Sequence, residues 1–197
     1  MTFAHGDLLH VYNRGNNKQQ IFFNEENYYF FREKIKKHVA PACDIIAYCL
    51  MPNHFHLLLH INEVSCEPCT IGNLKTTWLQ NNIRILQSSY AAAINNQFKR
   101  TGSLFQQRAK YKLLTSSDIH SKTYAEVCYH YIHQNPLKAG LINKMEDWKF
   151  SSFNEYAFGT EGICNLELAT AIFNIDQHKF YEISYRSLDS NLTSRIF

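Results

Sequence analysis

Two apolar runs, residues 45–50 and 54–61, flank the turn-forming Met51-Pro52-Asn53 and read as a pair of adjacent strands. Within the second run Phe55, Leu57 and Leu59 alternate with His54 and His56, a period of two that sends the apolar set to one face and both imidazoles to the other. An earlier strand is predicted over 8–12, ended by Asn13-Arg14-Gly15-Asn16-Asn17. Between these strands the period changes. Tyr28, Phe31, Ile35 and Val39 form the inward stripe of a helix capped by Asn24, with Glu25 and Glu26 in its first turn and Lys34, Lys36, Lys37 and His38 at its end, as the helix dipole favours. Residues 63–70 read as a loop and 71–97 as a helix, with Ile83, Leu86, Tyr90 and Ala93 among its apolar positions; Thr101-Gly102-Ser103 breaks it. Short extended pieces follow at 104–105 and 111–114. Ser116, Ser117 and Asp118 are candidate caps of a further long helix that Asn135-Pro136 is expected to stop, because the residue before proline is pushed out of helical geometry.

The order β-α-β-β-α-β predicts an α+β fold, a ferredoxin-like antiparallel sheet with helices on one face. The last forty residues read as a helical tail, so the expected division is a domain over 1–158 and a C-terminal helical tail over 159–197. A chain of 197 residues suits one such domain, and 45% hydrophobic with 19% charged residues is an ordinary globular balance. No run approaches the roughly 18 apolar residues of a membrane span, and no leader pattern opens the chain, so a cytoplasmic protein without membrane partners is expected. Six cysteines fit reduced thiols in such a compartment. Cys66-Glu67-Pro68-Cys69 is a lone CxxC without the second pair that a zinc ribbon needs.

Charge changes the picture more than composition does. The net charge is only +3, yet residues 68–117 contain no acidic side chain and seven basic ones: Lys75, Arg84, Lys99, Arg100, Arg108, Lys110 and Lys112. The rest of the chain carries thirteen basic and seventeen acidic residues and is net negative. Such segregation is the footprint of a polyanionic partner, most often nucleic acid, although a solvated basic face would leave the same trace. Trp78, Tyr90, Phe98, Phe105 and Tyr111 interleave with the bases, as stacking on unpaired bases would require, and as a core would too.

Candidate chemistry sits in two places. His54 and His56 share a strand face, with backbones about 7 Å apart, and two readings fit: ligands converging on one divalent ion, or two polar residues facing solvent. Further along, Tyr131 and Asn135 are four residues apart on a predicted helix and therefore one turn apart on one face. A phenol becomes a nucleophile when a cation stabilises its phenolate, and an amide oxygen can serve a hard metal; the same tyrosines could equally be packing residues.

Four blocks make the pattern specific. They are His10-Val11-Tyr12-Asn13-Arg14-Gly15-Asn16 with Ile21-Phe22; residues 47–59 around Met51-Pro52-Asn53-His54-Phe55-His56; Arg100-Thr101-Gly102-Ser103-Leu104-Phe105-Gln106-Gln107-Arg108; and residues 131–141, Tyr131 to Leu141, followed by Trp148 and Ser151-Ser152. In this order, over roughly residues 8 to 156, the chain resembles the tyrosine transposases of the IS200/IS605 superfamily, especially their REP-associated branch. The resemblance implies an HUH-type endonuclease with His54 and His56 as ligands of Mg²⁺ or Mn²⁺, Tyr131 as nucleophile and a third ligand from the tyrosine helix. Mobile members usually have glutamine four residues after the tyrosine; Asn135 stands there in this chain, as in the REP-associated branch. His60, His130 and His133 fall outside the implied ligand set.

The same resemblance implies metal-assisted cleavage and strand transfer on single-stranded DNA beside hairpins, through a 5′-phosphotyrosine. The basic window, with Lys99, Arg100, Arg108, Lys110 and Lys112, would hold the hairpin foot, while Asn13, Arg14 and Asn16 would read adjacent unpaired bases. A homodimer is possible on this basis, since mobile members are dimers, and the REP-associated branch can be monomeric. The alternatives from other classes are a catalytically inactive hairpin-binding module and an HxH phosphodiesterase that uses no tyrosine.

Overall fold

The computed structural model describes residues 2–114 and 121–194. Its elements are β1 (Leu8–Arg14), α1 (Glu25–His38), β2 (Asp44–Met51), β3 (His54–His60), β4 (Pro68–Ile71), β5 (Leu74–Thr77), α2 (Trp78–Gln97), β6 (Lys110–Leu113) and α3 (Ser121–Lys138). Four short helices follow: α4 (Phe153–Phe158), α5 (Leu166–Phe173), α6 (Phe180–Ser184) and α7 (Ser190–Thr193). The main sheet runs β2-β3-β1-β6 and is antiparallel throughout. With α1 and α2 as its crossovers this is the expected α+β arrangement, a split βαβ pair sharing one sheet.

The period-two alternation divides the interior in two. Leu9, Val11, Phe55, Leu57 and Leu59 pack under Phe31 and Ile35 of α1 and Ile83, Leu86 and Tyr90 of α2. The opposite face, with Leu8, Ile46, Cys49, Met51 and Leu58, meets Ala125, Cys128, Tyr129 and Ile132 of α3, together with Phe153, Tyr156, Phe173 and Phe180. Helices on one face, as the sequence predicts, therefore holds for the crossovers alone. The tyrosine-bearing α3 and the later helices cover the other face, because that face carries its own apolar set and would otherwise expose it.

Two further expectations change. Residues 71–97 are not one helix: β4 and β5 first form a small hairpin about Gly72 (φ +58°), and α2 begins only after Thr77. The reason is a capping box, in which the Thr77 hydroxyl accepts from the Gln80 amide and the Gln80 side chain accepts from the Thr77 amide. Nor does α3 stop at Asn135, since it runs through Pro136 to Lys138. Near a helix end the proline forfeits one backbone bond, and Ala139 N–H to Asn135 O and Leu141 N–H to Pro136 O close the terminus. Asn135 thus remains helical and stays one turn above Tyr131. The candidate caps Ser116, Ser117 and Asp118 lie outside the described residues.

Residues 148–152 fasten α3 to the sheet. They run along the outer edge of β2, with Leu50 N–H donating to Phe150 O (2.8 Å), Ser152 N–H to Tyr48 O (3.0 Å) and the Trp148 indole to Leu50 O (3.1 Å). The Ser152 hydroxyl accepts from Tyr48 N–H at 3.0 Å and lies 2.8 Å from His133 Nε2 on α3. This strap covers a strand edge that would otherwise be open to pairing. From the other side the Gln134 amide donates to Ser184 O (2.8 Å) and Arg186 O (2.9 Å), joining α3 to the segment after α6. The buried Glu155 carboxylate accepts from Ile163 and Cys164 N–H and lies where a Cβ on Gly162 would sit, so a larger residue there would have to displace it. Among the described residues no helix is long and apolar enough to cross a membrane.

Candidate active-site cleft

Cross-strand register builds the cleft. In the β1–β3 ladder Arg14 opposes His54 and Tyr12 opposes His56, while Lys110 of β6 opposes Tyr12. Directly opposed residues share a face, so all five side chains lie on the α3 side of the sheet. The His54 and His56 rings are 4.9 Å apart at their centroids and nearly perpendicular. Tyr131 meets His56 edge-on at 6.1 Å. One turn along α3, the Asn135 amide donates to the Tyr131 backbone O at 3.3 Å, and its side chain is near enough to the His54 ring and the Tyr131 phenol to shift the ionisation of both. Three of the four candidates, His54, Tyr131 and Asn135, line a cleft of about 610 Å³ together with Tyr12, Asn13, Arg14, Lys18, Asn53, Gln106 and Lys110, and the fully buried His56 packs against His54 and Tyr131.

Burial sets the electrostatics. It lowers His54 to about 4, partly opposed by its hydrogen bond to Asn135, and holds His56 well below the ordinary imidazole value. Both rings are therefore neutral at pH 7, the form in which imidazole can act as a ligand. Asn53 Oδ1 accepts from His54 Nδ1 at 2.6 Å, which puts the His54 proton on Nδ1 and leaves its Nε2 lone pair available. Burial also raises Tyr131 to about 12, with the Asn135 hydrogen bond working in the opposite direction. Such a phenol is about one part in 10⁵ ionised at pH 7, so a nearby cation is needed if it is to attack. One cation is in place: Lys138 Nζ lies 5.3 Å from the centre of the Tyr131 ring. Among the described residues no group of three His, Cys, Asp or Glu side chains is arranged to hold an ion. The donors assembled here are two imidazoles and one amide.

The other sequence candidates scatter. Arg14 and Lys110 line the cleft, and Asn13, next in sequence to Arg14, borders it too, but its side chain is buried and bonded inward. Its amide donates to Gln87 Oε1 of α2 (2.6 Å) and to Gln106 O (3.1 Å), and its oxygen accepts from Arg14 N–H (2.8 Å). Asn13 is thus spent on internal bonds. Asn16 is exposed and its N–H donates to Leu104 O. Lys112 sits on the cleft side opposite His10, its Nζ 5.5 Å from the Tyr124 ring. Lys99 and Arg108 are exposed, and neither lines the cleft. Arg100 donates to Gln19 Oε1 (2.5 Å) and covers the Phe23 ring at 5.3 Å. Of the histidines outside the implied set, His60 pairs with Asp44 (3.4 Å), and His130 contacts Ser184.

Sequence reasoning passed over His10, Tyr12, Lys18, Asn53, Gln106 and Lys138 as site residues. The signal for the first two was present, since His10-Val11-Tyr12 has the same period as His54-Phe55-His56. Lys138 is two helical turns from Tyr131 and equally readable. Lys18 and Gln106 arrive through loops and carried no such signal.

Fold and cleft together define an α+β protein in which a His-x-His strand faces a tyrosine-bearing helix. A "Putative REP-associated tyrosine transposase" of Haemophilus influenzae is 29% identical over 112 residues, 56% of this chain, and the match spans 59% of that relative's length. A solved structure of a REP-associated tyrosine transposase bound to a REP hairpin aligns with a TM-score of 0.58 and 20% identity over 83% of this chain and 87% of that one, so the two share a fold. The resemblance carried by the four sequence blocks is thereby met in a relative and in a fold. A bacterial tRNA(His) guanylyltransferase-like protein in complex with GTP aligns at only 0.42, with 7% identity over 70% of this chain and 68% of that one. No protein-family model matches the chain.

The neighbours Asn13 and Arg14 should part in their effects. Asn13→Ala strands the Gln87 amide in a part-buried site and should lower stability to urea by about 1–3 kcal/mol, whereas Arg14→Ala should stay within about 0.5 kcal/mol of the parent. Equal losses for both would contradict the inward placement of Asn13.

Proposed function

We propose that this chain is a REP-associated-type tyrosine transposase: a metal-dependent endonuclease and strand transferase for single-stranded DNA beside hairpins. The observation that carries the proposal is the meeting of Tyr131, Asn135 and His54 on one cleft with basic residues at its rim, and with His56 packed against His54 and Tyr131. Likeness to a transposase and to a hairpin-bound fold supports the choice of substrate.

In this reading Arg14, Lys18 and Lys110 neutralise phosphates on either side of the scissile one. The Tyr131 oxygen attacks phosphorus and its proton passes to solvent. The bond from phosphorus to the 3′ oxygen breaks, that oxygen takes a proton from water, and a 3′-OH and a 5′-phosphotyrosine remain. A 3′-OH from another strand reverses the step and transfers the strand without external energy. Asn135 orients the phenol, and Lys138 favours its ionised form. His54 and His56, neutral and with the Asn135 amide beside them, are the residues that would hold Mg²⁺ or Mn²⁺; when bound, such an ion supplies several kcal/mol of charge stabilisation at the phosphate and the phenolate. The buried rings fit that task better than a solvent-facing role, since an apolar helix–sheet contact gains nothing from two desolvated imidazoles.

Tyr131→Phe should abolish both nicking and the covalent protein–DNA adduct while hairpin binding stays nearly intact, as a denaturing gel and a filter-binding assay would report. His54→Ala should also stop nicking but recover partly at high Mn²⁺. Wild-type nicking by Tyr131→Phe would move the phosphodiesterase reading ahead, and a wild-type protein that binds hairpins without ever nicking them would favour the inactive module.

The pH dependence follows from the directions of the shifts. The attacking form of Tyr131 is its anion and burial raises the phenol, so below the apparent value of the loaded site the rate should climb by up to about tenfold per pH unit. His54 loses its proton near 4, so it should contribute no acid limb above about pH 5. Lys138→Met should move the rise to higher pH. Initial rates from pH 6 to 9 that are flat in the parent would remove phenol ionisation from the mechanism.

Hairpin affinity should fall with salt, and each of Arg14→Ala and Lys110→Ala should reduce the slope of log K against log salt by about 0.7–0.9. Unchanged slopes in both variants would take the DNA phosphates away from this rim.

A further inference from the structure

The best-defined polar contact beneath the cleft joins two histidines, one of which the mechanism has not used. His10 stands diagonally across the β1–β3 ladder from His56, its own partner being Leu58. Its Nε2 lies 2.9 Å from His56 Nδ1, and both side chains are fully buried. Tyr12 stacks on the His10 ring at 4.8 Å with 24° between planes, which fixes the ring's orientation. No other hydrogen-bond partner of His10 is present among the described residues.

A nitrogen–nitrogen contact of this length holds one proton, because two N–H groups would collide and two lone pairs would repel. Two arrangements are open. If His10 Nε2–H donates, the His56 proton sits on Nε2 and that ring has no lone pair left for an ion. If His56 Nδ1–H donates, Nε2 of His56 is unprotonated and His10 is the acceptor. His54 is already in the second state through Asn53. Ligating histidines are commonly fixed this way by a carboxylate or a carbonyl; here the acceptor would be another imidazole, which leaves the cleft floor without an added negative charge.

We infer that His10 is a positioning residue that accepts the His56 Nδ1 proton and thereby keeps His56 Nε2 unprotonated, the form that can ligate a divalent ion. This rests on the proposed role of His56 as a ligand. His10 touches neither DNA nor the reacting phosphate and acts only through His56.

Two substitutions separate this role from mere packing. His10→Leu keeps bulk but removes the acceptor, and Mn²⁺ affinity, read by electron paramagnetic resonance on the DNA-free protein, should fall about 10–100-fold. His10→Gln restores an acceptor oxygen and should recover most of that loss. In long-range ¹H–¹⁵N spectra of the Mg²⁺-loaded parent, His56 should carry its proton on Nδ1. Parent-like Mn²⁺ affinity in His10→Leu, no recovery in His10→Gln, or a His56 proton on Nε2 in the loaded parent would each overturn the inference, and the last needs no variant to fold. A parent that binds no Mn²⁺, or a His54→Ala protein that binds it equally well, would instead overturn the metal reading and this inference with it. Binding lost in His54→Ala but kept in His10→Leu would remove the role of His10 alone.

Discussion

The register of β1 against β3 is the constraint on which the rest of the cleft depends. Side chains in a strand alternate strictly, so a slip of one residue would send His54 and His56 into the α1–α2 core and bring Phe55 and Leu57 to the cleft. The slip is costly because both faces of this sheet are buried. Phe55, Leu57 and Leu59 fill one interior and Leu58 the other, and each fully exposed side chain of this size would forfeit about 1.5–3 kcal/mol of burial. Two hydrophobic cores, neither of them catalytic, thereby hold a pair of imidazoles to a register that a solvent-exposed sheet would enforce only weakly.

Burying polar groups on the α3 face is unfavourable unless each finds a partner. The structure meets this in part with short local hydrogen bonds, between Asn53 and His54, between His10 and His56, and from Asn135 to the Tyr131 carbonyl, while His10 Nδ1 and His133 Nδ1 have no hydrogen-bond partner among the described residues. The same burial keeps the imidazoles neutral and the phenol protonated. Desolvation thus keeps lone pairs on the imidazoles and the proton on the phenol together, and a cation would favour the phenolate without charging the imidazoles.

The helix that carries Tyr131 is held from both sides. Residues 148–152 bind the edge of β2 and reach His133, while Gln134 is tied to the backbone after α6. By anchoring consecutive residues of α3 these contacts fix its rotation, and rotation about the helix axis decides whether Tyr131 meets His56 or the solvent. Tail helices whose sequence carried no readable chemistry therefore have a positional task.

The sequence alone determined much of this. Period-two and period-3.6 patterns set the strands, the crossover helices and the shared face of His54 and His56, and four spaced residues put Asn135 over Tyr131. These are local properties, in which the backbone itself carries side chains to a face. The capping box at Thr77 and the alternation of His10 with Tyr12 were equally local and legible. What the tertiary structure decided was non-local. Antiparallel pairing brought β1 beside β3, so that His10 met His56 and Arg14 met His54 across some forty residues of chain. Docking against the sheet let α3 continue through Pro136, since the contacts of one buried face outweigh a single missing backbone bond. The basic window reads as one charge block in sequence and separates in space, because helix and strand geometry point neighbouring residues apart. Of its seven basic residues only Lys110 is among the described residues that line the cleft, where Arg14 and Lys18, from outside the window, complete the rim.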